Sequence, residues 1–408
     1  MKHRILFIST IVPYPPDRGH RIRIYHLLKQ LSTSFHVGLL TMTFTEEEYR
    51  NAELLRLDLP GIVPYHIVRS PAHENGAARI KGICSSLIHS FPFKPREMYY
   101  HAPVILRQAV RSLVHSFDPH LIQCVYWFTR GAVPPGIEIP VWIDSIDINW
   151  RRASLLPNAC PLHPASFFNK IRVRSIRNHE YAAYDIADRV LAIQEAEAAI
   201  LGTALITPVS TLPISCDIPD EPLRRTPEPV VCFIGPMDYH PNYDAVKFLS
   251  EDVLPRVRDR APGTRLRVIG RTDGVRVLPR EEWIEYTGHV SDLDSVLKTV
   301  AIGVAPVRLG SGVNVKVITM LGRGLPLIAT SNAVEGLSLK DGVEYLRAEN
   351  APDFASNILE VLADPSRAES LSLHGHSFAK QSHDWRTNTP IVTRFYQNAL
   401  RDNEIRGR

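Results

Sequence analysis

The densest chemistry in the sequence lies at Pro306–Ile318, PVRLGSGVNVKVI. A strand ends there, Gly310 and Gly312 flank Ser311, and a helix begins near Val315. Glycines allow backbone N–H groups to approach a ligand, and a helix N-terminus adds partial positive charge. Arg308 and Lys316 bracket the loop with two cations. Together these parts suit a diphosphate. A plain glycine turn between strand and helix is the alternative, because lone glycine patterns have low specificity.

Four other stretches carry candidate groups. Pro13–Gly19 (PYPPDRG) follows the first strand, with Arg18, Arg21 and Arg23 in and after it. A glycine before a helix presents free N–H groups to an acceptor or a phosphate; the other reading is a rigid turn before a basic surface helix. Trp142–Trp150 (WIDSIDINW) places Asp144 and Asp147 at a strand end, where carboxylates orient hydroxyls, act as a base, or cap a helix. In Ile234–Asp244 (IGPMDYHPNYD), Gly235 ends a strand and Asn242–Asp244 read as the cap of the next helix. Tyr286–Val290 (YTGHV) is a short strand, a glycine and a helix start, able to pack against a base or to form a simple turn. Among 17 histidines there is no HExxH, and the one HxH, His374–His376, reads as surface; no metal is expected.

These loops need a framework. Arg4–Ser9, a proline-rich loop, His20–Leu31 and His36–Thr41 read as strand, loop, helix and strand, a βαβ opening that predicts a parallel sheet. Strands follow at Leu121–Val125, Val141–Ser145 and Arg189–Ile193, the last interrupting a long helical stretch, Arg172–Ala198. Thr203–Pro229, with six prolines and little helical period, reads as an interdomain linker plus a short strand. A second series begins at Val230, with strands at Val231–Ile234, Thr264–Ile269, Ile284–Thr287, Ala301–Pro306 and Leu325–Ala329. Its helices are expected at Asp244–Leu254, Val290–Thr299, Lys316–Arg323, Ala351–Leu362, Pro365–Ala379 and Thr389–Arg401. Two doubly wound α/β halves result, with a ligand expected beyond the carboxyl ends of the strands, between the halves.

Composition supports a globular protein. The 408 residues are 44% hydrophobic and 22% charged, which excludes disordered, collagen-like and coiled-coil chains. The 32 prolines are scattered, marking many loop boundaries. No apolar run approaches the ~18–20 residues of a spanning helix, and Met1–Arg4 runs directly into a strand, unlike a signal peptide. Five separated cysteines form no CxxC pair, so a reducing cytoplasm is expected. Residues 1–205 hold 23 Lys and Arg against 17 Asp and Glu, whereas residues 206–408 hold 24 against 26. A basic first half favours an anionic substrate or membrane surface, with ordinary solvated surface as the alternative. Arg79–Arg96 mixes basic and apolar residues and reads either as a helix covering the sheet or as a peripheral membrane contact at the inner face. A dehydrogenase is disfavoured, because no GxGxxG follows the first strand.

Taken in order, these stretches resemble the GT-B glycosyltransferases of family 4, most of all bacterial sugar transferases of exopolysaccharide type. The matching pieces are RILFISTIVPYPPDRGHRIRIYHLLKQL, VWIDSIDINW, VLAIQEAEAAIL, FIGPMDYHPNYDAVKFL, YTGHVSDL, APVRLGSGVNVKVITMLGRGLPLIATSNAVEGL and the late HDW. The resemblance implies an α/β protein with two Rossmann-like domains facing across a cleft. An acceptor domain would span residues 1–205, with the C-terminal helix 386–408 packing back on it, and a nucleotide-sugar domain residues 206–385. It further implies transfer from a nucleoside-diphosphate sugar, with retention, to a saccharide, lipid-linked or small-molecule acceptor, in polysaccharide biosynthesis. No metal, other cofactor or nucleic acid is implied.

By position, Arg308 and Lys316 would bind the diphosphate and carry catalysis, with Asp144 as a third catalytic candidate. Gly310, Ser311, Gly312 and Val313 would contact phosphate and sugar, Gly288 and His289 the nucleobase, and Gly19 the β-phosphate or acceptor. Gly235 and Thr319 complete the donor side. The sequence departs from the family at several places. Thr319 stands where relatives carry a ribose-binding glutamate, and Ser311 where they carry a partner acid. The Arg and Lys common after the glycine of the second half's first strand are absent, with Pro236 and Asn242 nearby. A histidine common after the VWID strand is also absent, with Asp144 or Asp147 as substitutes. A 2-epimerase using the same donor and a nucleotide-sugar-binding protein without catalysis are the alternatives.

Overall fold

A computed structural model describes residues 2–68, 103–154, 164–273, 275, 277–310 and 313–405. The chain divides into two compact units, Met1–Ser215 with Asn388–Arg408, and Cys216–Thr387. Arg79–Arg96 lies outside the described residues.

The first unit is built on seven strands: β1 (Arg4–Ser9), β2 (His36–Thr43), β3 (Ile62–Val68), β4 (Leu121–Val125), β5 (Val141–Asp144), β6 (Arg189–Ala192) and β7 (Val209–Thr211). Their order is β3-β2-β1-β4-β5-β6-β7, every neighbour parallel. The β1 residues Ile5–Ile8 are wholly buried, as expected of an apolar run covered by helices on both faces. Helix α1 (Gly19–Ser32) turns Ile24, Leu27, Leu28 and Leu31 into this core, the i, i+3, i+4, i+7 stripe of an amphipathic helix. Helix α2 (Glu46–Asp58) starts on a capping box, with Thr45 and Glu48 each bonding the other's backbone N–H. Helix α3 (Val104–Phe117) buries Leu106, Val110, Leu113 and Phe117. Helices α4 (Asn149–Ser154), α5 (Pro164–Asp185) and α6 (Glu195–Gly202) follow β5 and β6.

The second unit has six strands: β8 (Val230–Ile234), β9 (Arg265–Ile269), β10 (Ile284–Gly288), β11 (Ile302–Ala305), β12 (Leu327–Ala329) and β13 (Leu346–Arg347). The order β10-β9-β8-β11-β12-β13 is the same 3-2-1-4-5-6 winding, again all parallel. Helix α7 (His240–Phe248) passes through a π-helical turn, Leu249–Val253, into α8 (Leu254–Arg258). Then come α9 (Leu293–Leu297), α10 (Val315–Gly322), α11 (Ala351–Ala363) and α12 (Pro365–His383); the last helix, α13 (Trp385–Ile405), belongs from Asn388 onward to the first unit. In α13, Tyr396 packs 5.0 Å from Trp142, centroid to centroid, and its hydroxyl donates to Gln123 in the first unit's core.

Several sequence expectations are corrected here. Helix α7 begins at His240, not at Asp244, because Pro241 at its first turn has its φ preset for a helix. Asn242 and Asp244 are therefore first-turn residues rather than caps. The helix expected over Val290–Thr299 shortens to α9, started by the Asp292 side chain accepting from the Ser295 N–H at 3.1 Å. Of the two late histidines, His374 is exposed but His376 is buried, with Nε2 3.0 Å from the Pro219 carbonyl. Arg23 is 3% exposed, which removes the basic surface helix as a reading for this residue.

Candidate functional site

In both sheets the strand order reverses between the first and fourth strands. Ligands of doubly wound sheets gather at that point, beyond the carboxyl ends of the strands. In the second unit the reversal falls between β8 and β11, so the loops in question are Gly235–Tyr239 and Pro306–Asn314. Gly235 follows β8 because a Cβ there would stand 2.6 Å from Asn242 Nδ2. Gly270, after β9, lies so close that its Cβ would meet the Gly235 carbonyl oxygen at 2.3 Å. These strand-end loops stack backbone on backbone, which only glycine permits.

The loop after β11 is anchored from the far side. Thr330 Oγ1 donates to the Val307 carbonyl at 2.6 Å, Asn332 Nδ2 to the same oxygen at 3.2 Å, and Asn314 Nδ2 to the Ala333 carbonyl at 3.1 Å. Gly310 takes φ +114°, with Tyr239 and Pro241 its nearest side chains. Ser311 and Gly312 lie outside the described residues; Val313 leads into α10. The apolar face of α10 (Val315, Val317, Ile318, Met320, Leu321) is buried in the unit, leaving Lys316 and Thr319, one turn apart, together on its part-buried face.

The two cations are held differently. The Arg308 guanidinium forks onto Asp244, with Nη2 2.8 Å from Oδ1 and Nε 3.1 Å from Oδ2, and stacks 4.4 Å above the Phe248 ring. The Lys316 ammonium donates to Asn242 Oδ1 and lies 4.3 Å above the Phe233 ring. Burial of that ammonium lowers its pKa to about 7. Gly288, at φ +70°, ends β10 with exposed His289 after it. It lies three strands from β11, roughly 14 Å at the usual strand spacing. That is the length scale of an extended nucleoside diphosphate. Beside it, Tyr286 donates its hydroxyl to the Pro279 carbonyl at 2.9 Å, and burial pushes its pKa up to about 12.

In the first unit, the reversal lies between β1 and β4. Gly19 opens α1 beyond β1, and His20 beside it has its pKa lowered to about 4 by burial and by the neighbouring arginines Arg21, Arg18 and Arg152. Asp144 does not face open space. It is 1% exposed and bound by Arg23 Nε at 3.1 Å, while Arg23 Nη1 also donates to the Leu212 and Pro213 carbonyls at 2.6 and 2.8 Å. The pair ties β5 to α1 and to the chain beyond β7. Tyr126 (φ 65°) and Ile146 (φ 56°) both sit in the left-handed region just past β4 and β5. A β-branched residue there is strained, a state that surrounding packing must impose.

An acidic group surrounds the Ile146 loop. Glu180 accepts from the Asn149 and Trp150 N–H groups at 2.9 and 3.0 Å and from the Tyr184 hydroxyl at 2.9 Å, and burial raises its pKa to about 7. Glu197 is fully buried, and neither carboxyl oxygen has a hydrogen-bond partner of normal geometry; burial, and then the charge of Asp147, push its pKa up to about 8. Burial also raises Asp147, opposed by Arg152 at 3.5 Å. Sequence reasoning did not single out Glu180 or Glu197, nor Asp244, Phe248 and Phe233 as partners of the two cations. Spacing held no signal for the Arg308–Asp244 pair, which joins residues 64 apart. Among the described residues no group of His, Cys, Asp and Glu is arranged to hold a metal ion, and no helix is long and apolar enough to cross a membrane.

The two doubly wound sheets have counterparts in solved GT-B glycosyltransferases, and the fold is GT-B. Sucrose-phosphate synthase from Thermosynechococcus elongatus superposes with a TM-score of 0.69 at 15% identity, over 98% of this chain and 100% of that one. HepE of Anabaena, in complex with UDP and glucose, superposes at 0.64 and 12%, over 98% and 100%. S. aureus TarM, as a point mutant in complex with Fondaparinux, alpha-GlcNAc-glycerol and UDP, superposes at 0.68 and 10%, over 98% and 100%. In sequence, residues 228–364 match the family model for glycosyl transferases group 1. No curated protein matches the chain.

Proposed function

We propose that the protein is a glycosyltransferase that moves a sugar from a nucleoside-diphosphate sugar to a saccharide, lipid-linked or small-molecule acceptor, with retention at the anomeric carbon, in polysaccharide biosynthesis. One observation carries this reading. Arg308 and Lys316 flank a glycine loop at the switch point of the second sheet, inside the stretch that matches the group 1 glycosyl transferases. Departure of the nucleoside diphosphate leaves negative charge on its β-phosphate. Fixed cations, loop N–H groups and the N-terminus of α10 stabilise that charge, each by a few kcal/mol.

In this reading the donor base lies towards Gly288 and His289, the diphosphate at Gly235 and residues 308–316, and the acceptor in the first unit near Gly19. No metal is needed, since the chain supplies the charge. Thr319 offers one hydroxyl where a carboxylate would grip two, so the ribose is held more weakly there. Asp144 is occupied by Arg23 and positions β5 rather than touching substrate. UDP in the HepE and TarM complexes makes uridine the first base to try.

Thermal shift against a panel of nucleoside-diphosphate sugars identifies the donor, because a ligand of the native state raises its stability. Release of the nucleoside diphosphate in the presence of acceptors then reports turnover. Arg308→Ala and Lys316→Ala each lower turnover by at least ~100-fold, as expected for loss of a transition-state cation. Folded variants with full turnover refute the site. Donor-induced stabilisation with no diphosphate released to any acceptor supports a binding protein instead, and conversion of donor alone to an epimer supports an epimerase.

A further inference from the structure

Both cations of the phosphate site are held by one short helix. Asn242 and Asp244 lie two residues apart in the first turns of α7, and residues at that spacing point to different flanks of a helix. Asp244 serves Arg308 with a carboxylate, and Asn242 serves Lys316 with a neutral amide oxygen. Asn242 is itself fixed: it is 3% exposed, and its Nδ2 donates to the Pro236 carbonyl at 2.8 Å, in the loop after β8. Gly235 leaves the room that the amide occupies.

We propose that Asn242 is a positioning residue for the phosphate site, holding the Lys316 ammonium in place without a counter-charge, so that an arriving diphosphate supplies the partner anion. This rests on the reading that the site takes a diphosphate. The logic is electrostatic. A guanidinium is always charged and can be parked on a carboxylate without changing state. An ammonium over an aromatic face, with only an amide oxygen opposite, is short of compensating charge. Nearby ionisable groups do not supply it. Asp244 is bound to Arg308, and His376 of α12, the helix packed on the far side of α10, engages the Pro219 carbonyl. No ion pair to Lys316 forms among the described residues, and desolvation alone lowers its proton affinity. A bound diphosphate reverses that shift, so binding takes up a proton at Lys316.

The test measures binding of UDP, GDP, ADP and dTDP to the wild type, Asn242→Asp and Asn242→Ala from pH 6 to pH 9, with thermal melting to confirm folding. Wild-type affinity for the preferred nucleotide falls by about 10-fold or more across that range as the amine, held without a counter-charge, loses its proton. Asn242→Asp, of nearly the same shape, gives Lys316 a permanent anion. Its binding is about 10-fold weaker at pH 6, where the carboxylate competes with phosphate, and its pH dependence is flattened. Asn242→Ala binds about 10-fold more weakly throughout. An Asn242→Asp profile that superimposes on the wild type, or Asn242→Ala binding at wild-type strength, overturns the positioning role while leaving the diphosphate site standing. Failure of the wild type to bind any of the four overturns both.

Discussion

Replacing Glu197 with glutamine tests how the first unit tolerates its buried acid. Glu197 is fully buried and neither oxygen is hydrogen-bonded with normal geometry, so burial favours its protonated form and places its pKa at about 8, against 4.5 in the unfolded chain. The folded pKa is raised. The associated stability is therefore complete below pH 4.5 and is lost as pH rises through 8. Each pH unit in that window costs about 1.4 kcal/mol, roughly 5 kcal/mol in all and about 4 kcal/mol between pH 5 and pH 8.5. Glutamine has the shape of the protonated acid and does not titrate. Glu197→Gln therefore melts close to the wild type at pH 5 and well above it at pH 8.5, the gap widening by on the order of 10 °C. Tryptophan fluorescence suits the measurement, since Trp127, Trp142 and Trp150 all belong to the first unit. A gap that stays constant with pH, or a glutamine variant less stable at pH 8.5, would show that Glu197 is ionised and paired, and the reasoning would be refuted.

Two further substitutions probe the same unit. Asp144→Ala strands the Arg23 guanidinium with only the Leu212 and Pro213 carbonyls, which costs about 3–5 kcal/mol by denaturant unfolding. The molecules that stay folded keep near-normal turnover, and a selective loss of turnover would restore a chemical role to Asp144. Tyr396→Phe removes the hydroxyl that donates to Gln123, a side chain whose Nε2 already lacks a partner, and lowers stability by about 1–2 kcal/mol in the same assay. An unchanged midpoint would mean that α13 holds to the first unit by ring packing alone.

The framework was legible wherever local pattern and burial agree. RILFIS carries the apolar run Ile5–Ile8, and LIQCV is apolar apart from Gln123; such stretches have few alternatives to a covered parallel strand, and β1 and β4 lie where the pattern puts them. Glycine and proline punctuation similarly located the loops after β8 and β11. Helices α2 and α3 and strand β3 were not read, although Thr45 and Glu48 spell a capping box. Strand β3 shows why: Pro64 interrupts IVPYHIV, yet at a sheet edge the missing N–H costs little.

Residue types and spacing, on their own, determined two βα series and a glycine loop bracketed by Arg308 and Lys316, because strand and helix periods and φ-permissive turns are written locally. Only the tertiary structure decided what state those groups are in. It gave Arg308 a carboxylate and Lys316 a neutral amide, both from α7. It also buried Asp144 against Arg23 and left the Glu197 carboxyl without a hydrogen-bond partner of normal geometry. Charge state depends on desolvation and on partners brought from far along the chain, and neither is encoded at the residue itself.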